Sequence, residues 1–320
     1  MVADVDWVRM RKAVGAFLVD GFFMTGSRLA KLHPRAKPER HGVEVLRNVS
    51  YGPGGREHLL DVYRPKQRSG SLPVVLYVHG GGFRILSKDS HWLMALAFAR
   101  AGYVVFNINY RLAPRHPYPA AIEDCADAYA WVIDNAATFG GDVSRLALAG
   151  ESAGANLVTA MTIAATYERT EAYAQRIFAT RVVPRATLPA CGLLQVTDVE
   201  RLARRRHLPA FIVDRLVEVT ENYLPVEVAG SSLDMADPVC VLERREPPAR
   251  PLPPFFIPCG TKDPILDDTR RLGRAVAALG ARADVKIYPG EMHAFHALMW
   301  RAHAKQCWAD THAFLKDVLK

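Results

Sequence analysis

The chain has 320 residues, half of them hydrophobic, which is ample for one elaborated domain with a sizeable core. Its 41 basic and 33 acidic residues leave a formal charge of +8, but no basic stripe interleaved with aromatics runs through it, so nucleic acid is not an expected partner. The five cysteines, Cys125, Cys191, Cys240, Cys259 and Cys307, are odd in number and show no metal-ligand spacing, which points to a reduced, cytoplasmic protein without a metal centre.

The first forty or so residues read as amphipathic helix, with Trp7, Val14, Phe17, Leu18 and Phe22 on one face. The apolar stretch AVGAFLVDGFFM (13–24) is broken by Asp20 and followed by no clear small-x-small site, which argues against a membrane span and a signal peptide. Strand-length apolar runs then alternate with helical patterns. PVVLYVHG (73–80) precedes HWLMALAFARAG (91–102), and YVVFNINY (103–110) precedes AAIEDCADAYAWVIDNA (120–136). RLALAG (145–150) precedes GANLVTAMTIAATY (154–167), PFFIPCG (254–260) precedes DDTRRLGRAVAALG (267–280), and ADVKIYPG (283–290) precedes a final helix. Such alternation predicts an α/β protein with a mostly parallel, doubly wound sheet covered on both faces. Residues 195–228 are polar and helical and interrupt the pattern. Residues 1–45 and 195–228 are therefore expected to form a helical cap over the carboxyl ends of the strands, where open parallel sheets hold ligands. The catalytic domain is then 46–194 and 229–320. Packing of the N-terminal helix on the flank of the sheet is the alternative. Arg201, Arg204, Arg205 and Arg206 have the spacing of a solvated helix face.

Between RLALAG and its helix lies Gly150-Glu151-Ser152-Ala153-Gly154. A serine at a strained strand-to-helix turn, with small neighbours, is held up out of the sheet and into a cleft. The following helix directs its N–H groups and positive dipole end to the same point. Ser152 is the expected nucleophile. His79-Gly80-Gly81-Gly82-Phe83 ends the strand at 73–80 and lacks dinucleotide-loop spacing. Its bare backbone suits an oxyanion hole built from Gly81 and Gly82, completed by Ala153. His79 is expected to fix this loop, not to act as a base. Phe83 and Glu151, beside the glycines and the serine, are expected to face substrate.

A serine hydroxyl needs a base, and in a doubly wound hydrolase sheet the chain order is serine, acid, histidine. Of eleven histidines, His293 follows the strand 283–290 directly and is the expected base, with His296 as runner-up. Asp263 follows the strand 254–260 and is the expected acid, whereas Asp267 and Asp268 read as caps of the next helix.

With these residues in place, the sequence resembles the hormone-sensitive-lipase family of α/β-hydrolase esterases. HGGGF (79–83), YRLAP (110–114), HPYPAA (116–121), GESAG (150–154), Asp263-Pro264 and His293-Ala294-Phe295 occur in the family's order. The resemblance implies the α/β-hydrolase fold and a carboxylic ester hydrolase with Ser152, Asp263 and His293 as triad. It also implies Gly81, Gly82 and Ala153 as oxyanion donors, and no cofactor. Two positions depart from the family pattern: Glu151 stands where aspartate is common, and Ala294 where glycine is frequent. The methyl of Ala294 is tolerated unless the backbone there needs a positive φ. The expected partner is a small-molecule ester, with acyl chains of short to medium length and no membrane span, and the chain is expected as a monomer or homodimer. An amidase or peptidase of the same fold, and a non-catalytic small-molecule receptor, are the competing readings.

Overall fold

The computed structural model describes residues 21, 25–27, 31, 33–225 and 233–320. The amphipathic residues Trp7, Val14, Phe17, Leu18 and Phe22 lie outside them. Among the described residues, eight strands form one sheet: β1 (Val43–Ser50), β2 (Leu59–Pro65), β3 (Leu72–Val78), β4 (Val104–Ile108), β5 (Gly141–Glu151), β6 (Ala186–Ala190), β7 (Phe255–Gly260) and β8 (Ala283–Tyr288). Their spatial order is β1-β2-β4-β3-β5-β6-β7-β8. From β4 through β8 the neighbours are parallel, and β1 and β2 add an antiparallel edge.

Nine helices of the described residues connect or cover the strands: α1 (Trp92–Arg100), α2 (Ala120–Asn135), α3 (Ala153–Thr166), α4 (Ala172–Ala179), α5 (Arg201–Arg205), α6 (Ala210–Tyr223), α7 (Pro238–Glu243), α8 (Leu266–Ala278) and α9 (Ala302–Val318). On one face of the sheet, α2, α3, α4, α7 and α8 bury Tyr129, Leu157, Ile177, Val239 and Val276 against Leu76, Leu148 and Ile257. On the other, Trp92 and Phe98 of α1 and Phe314 and Leu315 of α9 pack on Val75, Ala147 and Phe256. Alternate residues of each inner strand thus feed opposite cores, which is why these strands read as continuous apolar runs. This is the α/β-hydrolase architecture.

The sheet begins earlier than the domain boundary at 45/46. Val43 and Val45 already pair with Pro65 and Tyr63, so the boundary cuts β1 near its start. Their alternation with Glu44 is that of a strand with one buried side, not of a cap helix. Among the described residues, no helix is long and apolar enough to cross a membrane.

Candidate active site

Ser152 follows β5 and precedes α3, with φ 54° and ψ −114°. That is a costly conformation for a residue with a Cβ, and it is held from both sides. The Ser152 N–H donates to Ala190 O at 3.0 Å, and Ser152 O accepts from the N–H groups of Asn156 and Leu193. Gly154 is required by close approach: a Cβ there would sit 2.1 Å from Val78 O and 2.7 Å from His79 O. The end of β3 and the start of α3 are thereby pressed together, which brings the glycine loop after β3 beside the serine turn. Ala153 opens α3, where first-turn N–H groups have no helical acceptor.

The glycine loop is folded on itself. Arg84 and Ile85 both donate backbone N–H groups to Gly81 O at 3.1 Å, and Gly81 has φ 114°, with Ile85 O where a Cβ would be. His79 lies beneath, almost fully buried. Its Nδ1–H donates to Gly80 O at 2.7 Å, and its ring stacks on Tyr110 at 4.2 Å. Burial, assisted by nearby His91, lowers its pKa to about 3, so it stays neutral and acts as a fixed donor. The motif YRLAP supports the same loop: Tyr110 donates its hydroxyl to His79 O, Arg111 grips Asp124 of α2, and Ala113 N–H donates to Phe83 O.

Asp263 and His293 stand at the carboxyl ends of β7 and β8, on the same edge as Ser152. His293 Nδ1–H donates to Asp263 Oδ2 at 2.9 Å, and Asp263 Oδ1 accepts the Ile265 N–H at 3.0 Å. Asp263 is fully buried, whereas the His293 side chain is 31% exposed. Burial alone would lower the His293 pKa. The charge and hydrogen bond of Asp263, with a smaller contribution from Glu151, outweigh it and raise the imidazole above its ordinary value. The buried thiol of Cys191, at the end of β6, has its sulfur within 4.8 Å of the same ring and carboxylate. Cys191, Asp263 and His293 form the one cluster of metal-ligand type among the described residues. Ala294 has φ 55°, so the methyl departure noted in the sequence sits on a left-handed backbone.

Several side chains lie elsewhere than expected. Phe83 is fully buried and stacks on Tyr223 of α6 at 3.7 Å, so it joins the glycine loop to that helix instead of facing a ligand. Glu151 is also buried. Its carboxylate accepts from His91 Nε2 at 2.8 Å and lies 2.8 Å from His296 Nε2, so it is occupied by protein groups. His296 is therefore committed to Glu151 and not to the Asp263 pair. Arg201 is not solvated: it is buried and pairs with Asp268, itself fully buried. Asp268 also accepts the Leu194 N–H at 2.8 Å, so it anchors the segment leading to α5, whereas its neighbour Asp267 pairs with Arg205. Arg206 donates to the Asp263 carbonyl at 2.9 Å and ties the end of α5 to the acid's loop.

Helix α6 rests on the glycine loop. Besides the Phe83–Tyr223 stack, Arg84 pairs with Glu218 at 2.8 Å, and Tyr118 N–H donates to Tyr223 O at 2.7 Å. A Cβ on Gly82 would come within 2.8 Å of Val219 Cγ2. These contacts join residues far apart in sequence and leave no local signature.

Comparison with known proteins agrees with this fold. A family model described as the alpha/beta hydrolase fold matches residues 75–297. Carboxylesterase NlhH of Mycobacterium tuberculosis is 34% identical over 282 residues, which are 86% of this chain and 82% of that protein. Hormone-sensitive lipase of Mus musculus is 36% identical over 141 residues, 43% of this chain and 18% of its own. The crystal structure of esterase LipW from Mycobacterium marinum superposes with a TM-score of 0.75 at 27% identity, covering 94% of this chain and 89% of that one. Matched over most of its length, with the fold and the motif order in place, the chain belongs to the hormone-sensitive-lipase family of α/β-hydrolase esterases.

Proposed function

We propose that this hydrolase cleaves carboxylic esters through Ser152, His293 and Asp263 by way of an acyl-enzyme. The observation that carries the reading is the Asp263–His293 hydrogen bond, with a part-exposed imidazole, on the sheet edge where the strained Ser152 turn stands. His293, its Nδ1–H committed to Asp263, takes the Ser152 proton on Nε2 as Oγ attacks the ester carbonyl. The N–H groups of Gly81, Gly82 and Ala153 receive the oxyanion, each donor worth roughly 3 kcal/mol. His293 then returns the proton to the leaving alkoxide, and water, activated by the same imidazole, releases the acid. Asp263 holds the ring's tautomer and stabilises the imidazolium.

Residues 195–228 act as a cap of this site; of the companion segment 1–45, residues 43–45 belong to β1 and residues 1–20 lie outside the described residues. The contacts of α6 with Phe83, Arg84 and Gly82 support that role for the first segment. A short helix lying on the oxyanion loop limits the room for an acyl chain, which favours short to medium lengths. Five unpaired thiols, four of them buried, fit a reducing compartment such as the cytoplasm.

The test is hydrolysis of nitrophenyl esters from acetate to palmitate by the parent and Ser152→Ala. The variant should lose roughly four to six orders of magnitude in kcat with its fold intact, and an organophosphate should label Ser152 one to one. The parent's kcat/KM should peak between about two and eight carbons, because each methylene adds about 0.8 kcal/mol only while it is buried. An active Ser152→Ala enzyme ends the nucleophile assignment, and a profile still rising at palmitate ends the size limit.

A further inference from the structure

Glu151 is the last residue of β5, directly before Ser152. Its buried carboxylate bridges two imidazoles: His91 Nε2 at 2.8 Å from Oε1 and His296 Nε2 at 2.8 Å from Oε2. The first contact is a hydrogen bond, and the second is a close polar contact outside hydrogen-bond geometry. The same residue also packs on Gly80, where a Cβ would stand 2.9 Å from Glu151 O and 3.2 Å from its Cγ.

Each contact reaches a different loop of the site. His91 ends the segment that begins at the oxyanion glycines and immediately precedes α1; its ring lies 5.5 Å from that of His79. His296 sits three residues after His293, and its carbonyl is held by Trp308 Nε1–H at 3.0 Å. Glu151 itself carries the serine turn. Removing a carboxylate from water costs several kcal/mol unless it is matched, so a buried acid that touches three loops is a strong constraint on all three. Burial works against its charge, but His91 and His296 hold the carboxyl well below the usual carboxylate range. Its length matters too. Aspartate, common in the family here, is shorter by one carbon–carbon bond of about 1.5 Å, so without movement of the loops one or both close contacts would be lost.

We propose that Glu151 is a positioning residue of this hydrolase: through His91 and His296 it clamps the oxyanion loop and the histidine loop to the turn that carries Ser152. The proposal rests on the reading of Ser152, Asp263 and His293 as the triad. Glu151 touches none of the reacting atoms and acts by fixing the distances between the groups that do. The other titratable groups that share its surroundings are Tyr77 of β3, His79, Tyr110, Cys191 and His293.

The experiment measures kcat and KM for nitrophenyl butyrate from about pH 5 to pH 9 for Glu151→Gln, Glu151→Asp and His296→Asn, normalised to sites titrated with an organophosphate. Misplacement by about 1 Å can cost a hundredfold, so Glu151→Gln should lose about ten- to a hundredfold in kcat per titrated site, with KM within about twofold. Its acid limb should also move to lower pH, because a charge that favours protonated His293 is gone. Glu151→Asp should return the limb to the parent position while kcat stays depressed. His296→Asn keeps the carboxylate and should lose about tenfold in kcat without a downward shift; it carries the test if Glu151→Gln does not fold. A folded variant with parental kcat per site and parental limb, or a loss explained wholly by fewer titratable sites, overturns the proposal. Organophosphate labelling of the parent at a residue other than Ser152 instead overturns the triad reading.

Discussion

Asp263 with His293 and Glu151 with His296 are the same pair of groups at nearly the same separation, 2.9 Å and 2.8 Å, at one edge of the sheet. The two histidines stand on a single loop. They differ in what the rest of each ring meets. The His293 side chain is 31% exposed and spends its Nδ1 on Asp263, which leaves Nε2 outside that bond, whereas the His296 side chain is 8% exposed and spends its Nε2 on Glu151. A carboxylate beside an imidazole therefore does not mark a base; an imidazole whose second nitrogen is free to exchange a proton does.

The widest separation between the pairs should come from alanine. On the proposed mechanism, His293→Ala should lower kcat by roughly four to six orders of magnitude, since the serine then has no base. His296→Ala should cost no more than about a hundredfold, as a misplaced loop would. Measured kcat on nitrophenyl butyrate decides it, and a reversed ranking would transfer the base assignment to His296. The second contrast is in pH. Free imidazole titrates near pH ~6.5, and the folded-state pKa of His293 lies above that. Activity should be present above the raised value and lost as pH falls through it, in one protonation step of kcat/KM. Asp263→Asn should remove most of that rise and draw the limb downward along with a large loss of rate; a flat profile to about pH 4.5 would remove histidine from the mechanism.

The smallest effect belongs to Ala294, the turn that sends His293 outward and His296 inward. A left-handed backbone costs an L-residue about 1–2 kcal/mol, more for a β-branched one. Ala294→Gly relieves this but gives up the alanine methyl and adds chain entropy, so its Tm should stay within about 2 °C of the parent. Ala294→Val should fall by several degrees. Equal Tm values for the two substitutions would show that the turn is under no conformational constraint.

The inner sheet was legible because its strands are buried on both faces and read as unbroken apolar runs, each followed by a helix period. Strand β1, with Glu44 and Arg47 among its valines, carries no such run, and β6 is five residues with a proline, so neither announced itself. Asp263 and His293 could be named from chain order alone, and they do meet. Phe83 and Glu151 could be named as neighbours of the glycines and the serine, but not what they touch. Glu151 finds His91 sixty residues back, and Arg201 finds Asp268 sixty-seven residues on. Periodicity assigns a residue to a face of its own element. It does not carry the charge that another element brings to that face, which is why an arginine at helical spacing read as solvated.

Helix α6 is fastened to the glycine loop by a ring stack and an ion pair, and to Tyr118 by a backbone hydrogen bond. With the loop as the oxyanion hole, lifting the helix far enough to admit a bulky ester also frees Phe83 and Arg84, which flank the donors. Admission and competence then lie on one coordinate with opposite signs. If α6 acts as the proposed cap, turnover per molecule is the intrinsic rate multiplied by the fraction of time the helix is seated, and a helix held down more tightly raises that fraction while slowing entry. Loosening the Arg84–Glu218 pair, which touches no reacting atom, would accordingly lower kcat and raise the association rate.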